Sequence, residues 1–306
     1  MSALARHVTD YLTLRRALGF KLEREGQVLP QLVAYIEAAG SSTLTVELAV
    51  AWARLPKSVK PINWSHRLGA ARGFAAYLKT IDPKTEVPPC DVFPTSAPRP
   101  TPYLWSGPDI RRLLDAASQI RVPLSAATLE ALFGLIAVSG LRIGEAIALQ
   151  RDDVDLAEGL LTIREAKFGR SRLVPLHPSA TDALRSYAAR RDRLCPAPKS
   201  KNFFLSSAGK ALLAWGVNRD FKQLTTSIGL RTAAVRPRIH DLRHSFAVQT
   251  LIGWLRSGGD VEDKMVVLST YLGHVNPAGT YWYLSASPEL MELAATRLDG
   301  RFGGRR

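Results

Sequence analysis

A chain of 306 residues, 46% of them hydrophobic and 22% charged, is long enough for two domains with sizeable cores and too apolar to be disordered. Its 41 Lys and Arg against 27 Asp and Glu leave a net charge of +14, which directs attention to a polyanionic partner. The longest uncharged apolar run, 131–141, falls well short of the roughly 20 residues that cross a bilayer, and the two cysteines, Cys90 and Cys195, offer neither a metal-ligand spacing nor a disulfide framework.

The N-terminal stretch "MSALARHVTDYLTLRR" carries charged and polar residues where a secretory signal has its apolar segment, so a reducing cytosol is expected. The positive charge is spread along the chain: twelve basic against eight acidic residues over 1–98, and 28 against 19 over 103–306. Both halves can therefore face one polyanion, although charge alone equally fits anionic lipid or an inert basic surface.

In chain order, apolar residues recur at helical spacing in "YLTLRRALGF", "QVLPQLVAYIEAAG", "TVELAVAWARL" and "WSHRLGAARGFAAYLKT". Thr45 is placed to cap one of these helices, and Gly40 and Pro56 to stop two of them. Residues 1–81 are thus expected to form a domain of four or five short helices. Seven prolines between 82 and 102 remove backbone donors and fix φ, which predicts an interdomain linker.

Residues 103–306 form the second predicted domain, with helices over 108–118, 126–138, 142–150, 178–193, 215–227, 240–256 and a final helical region from about 276 to 300. One segment breaks the pattern. "GLLTIREAKFGRSRLVPL" has β-branched and leucine residues either side of a turn at "KFGR", which predicts a hairpin carrying Arg164, Lys167, Arg170 and Arg172. The fold class is therefore mainly α, with a helical N-terminal domain and an α+β second domain holding a small sheet.

The polar residues that could carry chemistry collect in four stretches: Arg142 in "SGLRIGEA", Lys167 in "EAKFGRSR", His240 and Arg243 in "HDLRHSFA", and His274 and Tyr283 in "LGHVNPAGTYWYL". No phosphate-cradling Gly-rich loop, metal motif or carboxylate pair accompanies them. A set of cations with a tyrosine suits an anion, and a phosphodiester best. Guanidinium forks can match charge building on the non-bridging oxygens, a phenol can attack and later leave, and a lysine can protonate the departing alkoxide.

Each stretch has a plainer reading. "GLR" followed by Glu145 is also an ordinary surface ion pair. His240 and His244, at i and i+4, could ligate zinc, although no third ligand follows at a suitable spacing. Any of Arg164, Arg170 and Arg172 competes with Lys167 as a cation facing phosphate. Tyr281 and Tyr283 diverge by about 200° on a helix, so only one of them can face a given phosphate.

Together these stretches resemble the signature of the tyrosine recombinases, the phage-integrase family, over residues 103–306. "GLRIGE" matches the family's first arginine motif at Arg142, with Glu145 as its acidic companion. The hairpin lysine falls on Lys167, the "H-x-x-R" on His240 and Arg243, the "L-G-H" histidine on His274, and the nucleophile nine residues later on Tyr283.

The resemblance implies a helical, SAM-like DNA-binding domain and a recombinase catalytic domain that together clamp double-stranded DNA. It implies strand exchange through a 3′-phosphotyrosyl intermediate in a homotetramer on two DNA sites, with sister recombinases or accessory proteins as further partners. Neither metal, ATP nor any other cofactor is expected, and no membrane. The implied setting is a bacterial mobile element acting at the nucleoid. Two alternatives stay open here: a type IB topoisomerase, and a DNA-binding accessory subunit with idle chemistry.

Two further expectations concern detail. The 30 residues between Arg243 and His274, including "WLRSGGDVEDKM", are longer than the family's usual spacing and are expected to hold an extra turn or loop. The stretch "ASPELMELAATRLDG" places Leu290, Leu293 and Ala294 on one stripe, expected to dock on a neighbouring protomer.

Overall fold

The computed structural model describes residues 2–94, 101–166, 170–257, 261–274, 278–285, 289–293 and 295–296. Two compact units divide at Pro100 and Thr101.

The first unit packs four helices, α1 (Ala3–Ala17), α2 (Glu23–Ala38), α3 (Val46–Arg54) and α4 (Pro61–Leu78). Their apolar stripes supply one core, with Leu29, Leu32, Ile36, Trp52 and Phe74 almost wholly enclosed. Thr45 accepts the Leu48 N–H and so satisfies one of the amides that open α3. The proline-rich segment does not leave this unit at residue 82. Glu86 accepts the Val46 N–H at 2.7 Å, the Glu86 N–H donates to Leu44 at 2.9 Å, and Phe93 is buried in the helical core. Proline denies this stretch a helix but not tertiary contact, so residues 82–94 are a strap on the first unit.

The second unit holds α5 (Gly107–Ser118), α6 (Pro123–Ser139), α7 (Ile143–Ala148), α8 (Pro178–Leu194), α9 (Ala214–Ser227), α10 (Ile239–Arg256), α11 (Val261–Leu272) and α12 (Ala278–Tyr281). Helix α6, apolar on nearly every side, forms the centre of a core shared with α5, α8 and α9. Strands β1 (Val154–Asp155), β2 (Leu160–Ala166) and β3 (Arg170–Pro175) make an antiparallel sheet in that order. The expected hairpin is β2–β3, with Leu161 opposite Val174 and Ile163 opposite Arg172. Lys167, at its turn, lies outside the described residues.

Helix α10 runs between two cores. Ile239 and Leu242 belong to the α6 core, while Ala247, Val248, Leu251 and Ile252 pack with Met265, Leu268 and Leu272 of α11 and with Tyr283 and Leu290.

Two expectations are made specific here and one is corrected. The long interval before His274 contains a helix, α11, whose Met265, Leu268, Ser269 and Leu272 are buried at i, i+3, i+4 and i+7. The helical region expected from about 276 to 300 comprises, among the described residues, the short α12, a 3₁₀ turn over Trp282–Ser285 and helical residues at 289–293. Leu290 is fully enclosed in the core of its own unit and Leu293 packs beside it, so that stripe is already covered within the chain; Ala294 is not among the described residues.

Candidate active site

Two helix C-termini build the site. Helix α6 ends at Gly140, whose φ of +63° is left-handed and natural only for glycine. Helix α11 ends at Gly273, φ +69°, in a double-bonded cap: the His274 N–H donates to the Ser269 carbonyl at 2.9 Å and the Gly273 N–H to Thr270 at 3.0 Å. Such an end leaves carbonyls without intrahelical donors and carries partial negative charge, so cations suit it.

Three arginines take those carbonyls. Arg243, on α10 and only 1% exposed, donates from Nη1 to Gly140 at 2.7 Å and from Nη2 to Leu272 at 2.9 Å. Arg142, the N-cap residue of α7, donates from Nη1 to Leu272 at 3.4 Å and from Nη2 to Gly273 at 3.1 Å. Arg172 donates from Nε to Tyr271 at 2.9 Å. The opening of "SGLR" is thereby explained: the left-handed Gly140 turns the chain out of the core and frees a carbonyl for the second arginine, while Arg142 reaches across to α11.

Glu145, one turn into α7, accepts the Arg142 backbone N–H at 3.1 Å and Arg142 Nη1 at 2.7 Å. It also takes Arg172 through both oxygens, at 3.2 and 2.9 Å. Burial pushes its carboxyl up, but the hydrogen bonds and charges of Arg172 and Arg142 outweigh this and hold it below the usual carboxylate range. Arg243 is drawn down to about 10 by burial and then by the charge of Arg142, which still leaves it a cation at neutral pH.

His274 Nε2 lies 2.9 Å from Arg243 Nη2, and its Nδ1 lies 2.6 Å from Thr280 Oγ1. A guanidinium can only donate, so Nε2 is the acceptor, and the neutral ring carries its proton on Nδ1 toward the fully buried Thr280. Burial, followed by the charges of Arg243 and Arg142, holds His274 at about 4, well under its ordinary value of 6.5.

His240, nearer solvent, is also lowered, first by desolvation of its ring and then by Arg243. Its ring meets His244 edge-on at 4.6 Å, and His244 in turn packs against Trp282 and Tyr283. Among the described residues no group of three or more His, Cys, Asp or Glu is arranged to hold a metal ion.

Tyr283 is 2% exposed, stacks on the His274 ring at 5.9 Å and meets the His244 ring edge-on at 5.3 Å. Tyr281, two residues earlier, is 51% exposed. The structure therefore gathers Arg142, His240, Arg243, His274 and Tyr283, drawn from residues more than 140 apart in sequence.

Sequence reasoning missed Thr280 and misjudged Arg172, which faces inward instead of toward solvent. The signal for Arg172 was its phase: in "RLVP" it shares a strand face with buried Val174. Arg164, the other hairpin competitor among the described side chains, pairs with buried Asp153.

A model described as the phage integrase family matches residues 106–289. The chain is 44% identical to the integrase/recombinase-type protein y4rB of Sinorhizobium fredii, over the full length of both. It is 29% identical to the tyrosine recombinase XerC of Alcanivorax borkumensis, over 79% of this chain and 75% of that one. Among solved structures, the Tn1549 transposon integrase in complex with transposon right-end DNA shares the fold with a TM-score of 0.65 at 16% identity, covering 97% of this chain and 99% of that one. With the family model spanning more than half of its residues and a full-length relative at this identity, the chain belongs to the phage integrase family, the tyrosine recombinases.

Proposed function

We propose that this recombinase cleaves and rejoins double-stranded DNA with Tyr283 as nucleophile. The Tyr283 oxygen attacks the scissile phosphorus, the bond from phosphorus to the 5′-oxygen breaks, and Lys167 gives that oxygen its proton. His240 takes the phenol proton, and Arg142 together with Arg243, whose fork His274 aims, matches the charge on the non-bridging oxygens. One phosphodiester becomes another, so the return attack by a 5′-hydroxyl needs no energy source and the reaction calls for neither ATP nor a metal. The first unit, residues 1–81 with the 82–94 strap, supplies the second half of a clamp on DNA beside a catalytic domain from 103 onward. A homotetramer on two sites, with sister recombinases or accessory proteins where the element requires them, completes exchange. DNA of a bacterial nucleoid is the natural setting.

The observation that carries this reading is the buried Tyr283 stacked on His274, whose Nε2 accepts from the buried Arg243, beside an Arg142 that shares the same Leu272 carbonyl. A phosphate placed there meets nucleophile and charge together. To test it, nicked duplexes with a randomised core are incubated with the full chain and selected for covalent capture. Tyr283→Phe should abolish capture and keep DNA binding, Tyr281→Phe should keep both, and the adduct peptide should map to Tyr283; an adduct on Tyr281 refutes the assignment. Lys167→Ala should block an ordinary substrate and spare one with sulfur at the 5′-bridging position, because a thiolate leaves without a proton.

A further inference from the structure

Strand β3 carries a cation on the wrong face for a solvent-exposed residue. Arg172 stands opposite Ile163 and in phase with Val174, on the side of the sheet that joins the core. Its side chain is only 11% exposed. Three of its five N–H donors are committed to Tyr271 and to both oxygens of Glu145, and its guanidinium lies flat against Gly273, where a Cβ would come within 2.6 Å of Nη1.

Glu145 Oε1 is shared: it receives Arg172 at 3.2 Å and Arg142 at 2.7 Å. We infer that Arg172 is a positioning residue for Arg142, acting by fixing Glu145 and the 271–273 carbonyls against which the Arg142 fork is aligned. It does not touch the substrate.

The physical reason is competition. A carboxylate with one cation closes on it, and an Arg142 drawn into that pair turns its fork from the phosphate. A second, immobile guanidinium held by Tyr271 keeps Glu145 bidentate and divides its attraction. Arg172 thus lets Glu145 orient Arg142 without capturing it. Lysine at this position keeps the charge but lacks the planar fork, and so holds one oxygen at a time.

This rests on Arg142 acting at the phosphate, as proposed above, and the test separates the two. Single-turnover capture of the selected nicked duplex, at saturating protein, is measured for Arg142→Lys, Arg172→Lys, the double variant, and Ile163→Val in both backgrounds. Arg172→Lys should slow capture by about 10²-fold, the scale expected when a reacting group is misplaced by about 1 Å, with unchanged DNA affinity. In the Arg142→Lys background the same change should cost almost nothing further. Ile163→Val, which loosens the same sheet by packing alone, should have equal effects in both backgrounds.

If Arg142→Lys cleaves at the wild-type rate, the assignment of Arg142 falls. If Arg142→Lys is slow but the two lysine effects multiply, or if Arg172→Lys cleaves normally, positioning by Arg172 is overturned while Arg142 stands. Should Arg172→Lys melt below the assay temperature, Arg172→Gln enters the same cycle with the same expectations.

Discussion

Gly140→Ala perturbs the joint between the core and the site. At φ +63° an alanine pays roughly 1–2 kcal/mol for the left-handed backbone alone. Its Cβ would lie 2.6 Å from Phe246 Cδ1 and 2.9 Å from Leu272 Cδ2, closer than real side chains approach. Phe246 is partly exposed and can swing away; Leu272 is fully buried and moves only with its backbone. Overpacking of this kind costs about 1–3 kcal/mol, so the total is about 2–5 kcal/mol. Because the Leu272 carbonyl receives both Arg142 and Arg243, cleavage should fall beyond what the stability loss explains. Urea unfolding of the second unit and single-turnover capture at a temperature where the variant is folded measure the two effects. Gly144→Ala is the control: it sits in α7 with nothing within 4 Å of the added Cβ, and should be neutral or stabilising by about 0.5–1 kcal/mol. A Gly140→Ala protein within about 0.5 kcal/mol of wild type and fully active would refute the reasoning.

Acid should weaken the folded state through His274. Unfolded, the ring binds a proton below about 6.5, whereas folded it does so only near 4, so between these values the unfolded chain holds more protons and stability falls as pH falls, by at most about 3 kcal/mol. His274→Gln should flatten the stability-versus-pH curve across that window, with His240 contributing to both proteins alike; equal slopes would contradict the burial of His274. Thr280→Val strips the acceptor from the His274 Nδ1–H and should destabilise by about 1–3 kcal/mol, with Thr280→Ser restoring most of it in thermal melts. Ser245→Ala should cost a similar amount, since the buried Trp105 N–H donates to Ser245 at 2.7 Å; a variant as stable as wild type would mean that water replaces the hydroxyl.

Most of the helices were legible because their apolar residues recur at helical spacing, and the hairpin because the spacing shifts to two. What escaped shows where local reading fails. Helix α11 follows "RSGGD", and its polar first turn hid the periodicity that Met265, Leu268 and Leu272 complete. The strap over 82–94 was invisible because a single side chain, Glu86, caps a helix forty residues earlier. Among site residues, Arg142, Arg243, His274 and Tyr283 stand in motifs that are readable as a set, without any tertiary partner. Arg172 and Thr280 gain meaning only from partners that folding supplies: the carboxylate of Glu145, the carbonyl of Tyr271, the imidazole of His274. Gly140 and Gly273 lay inside the motifs, yet their role as left-handed helix ends appears only once two C-termini meet.

That meeting explains how three guanidiniums can share one small volume. A carboxylate for each would fix them but cancel the charge that a phosphate needs. Carbonyls at the ends of α6 and α11 fix them with partial charge only, on the order of half an electron per helix end. Among the described residues Glu145 is the one full negative charge paired with these arginines, divided between Arg142 and Arg172, so Arg142, Arg172 and Arg243 retain a formal excess of two positive charges. His274, held neutral and accepting from Arg243, adds direction without adding charge. Under the proposed function an arriving phosphate meets donors already aimed and only partly satisfied, and it displaces weak carbonyl contacts instead of breaking salt bridges. In a site built this way, introducing an acidic residue at the carbonyl cluster should damage cleavage more than removing any one carbonyl contact, because the first removes charge and the second only loosens aim.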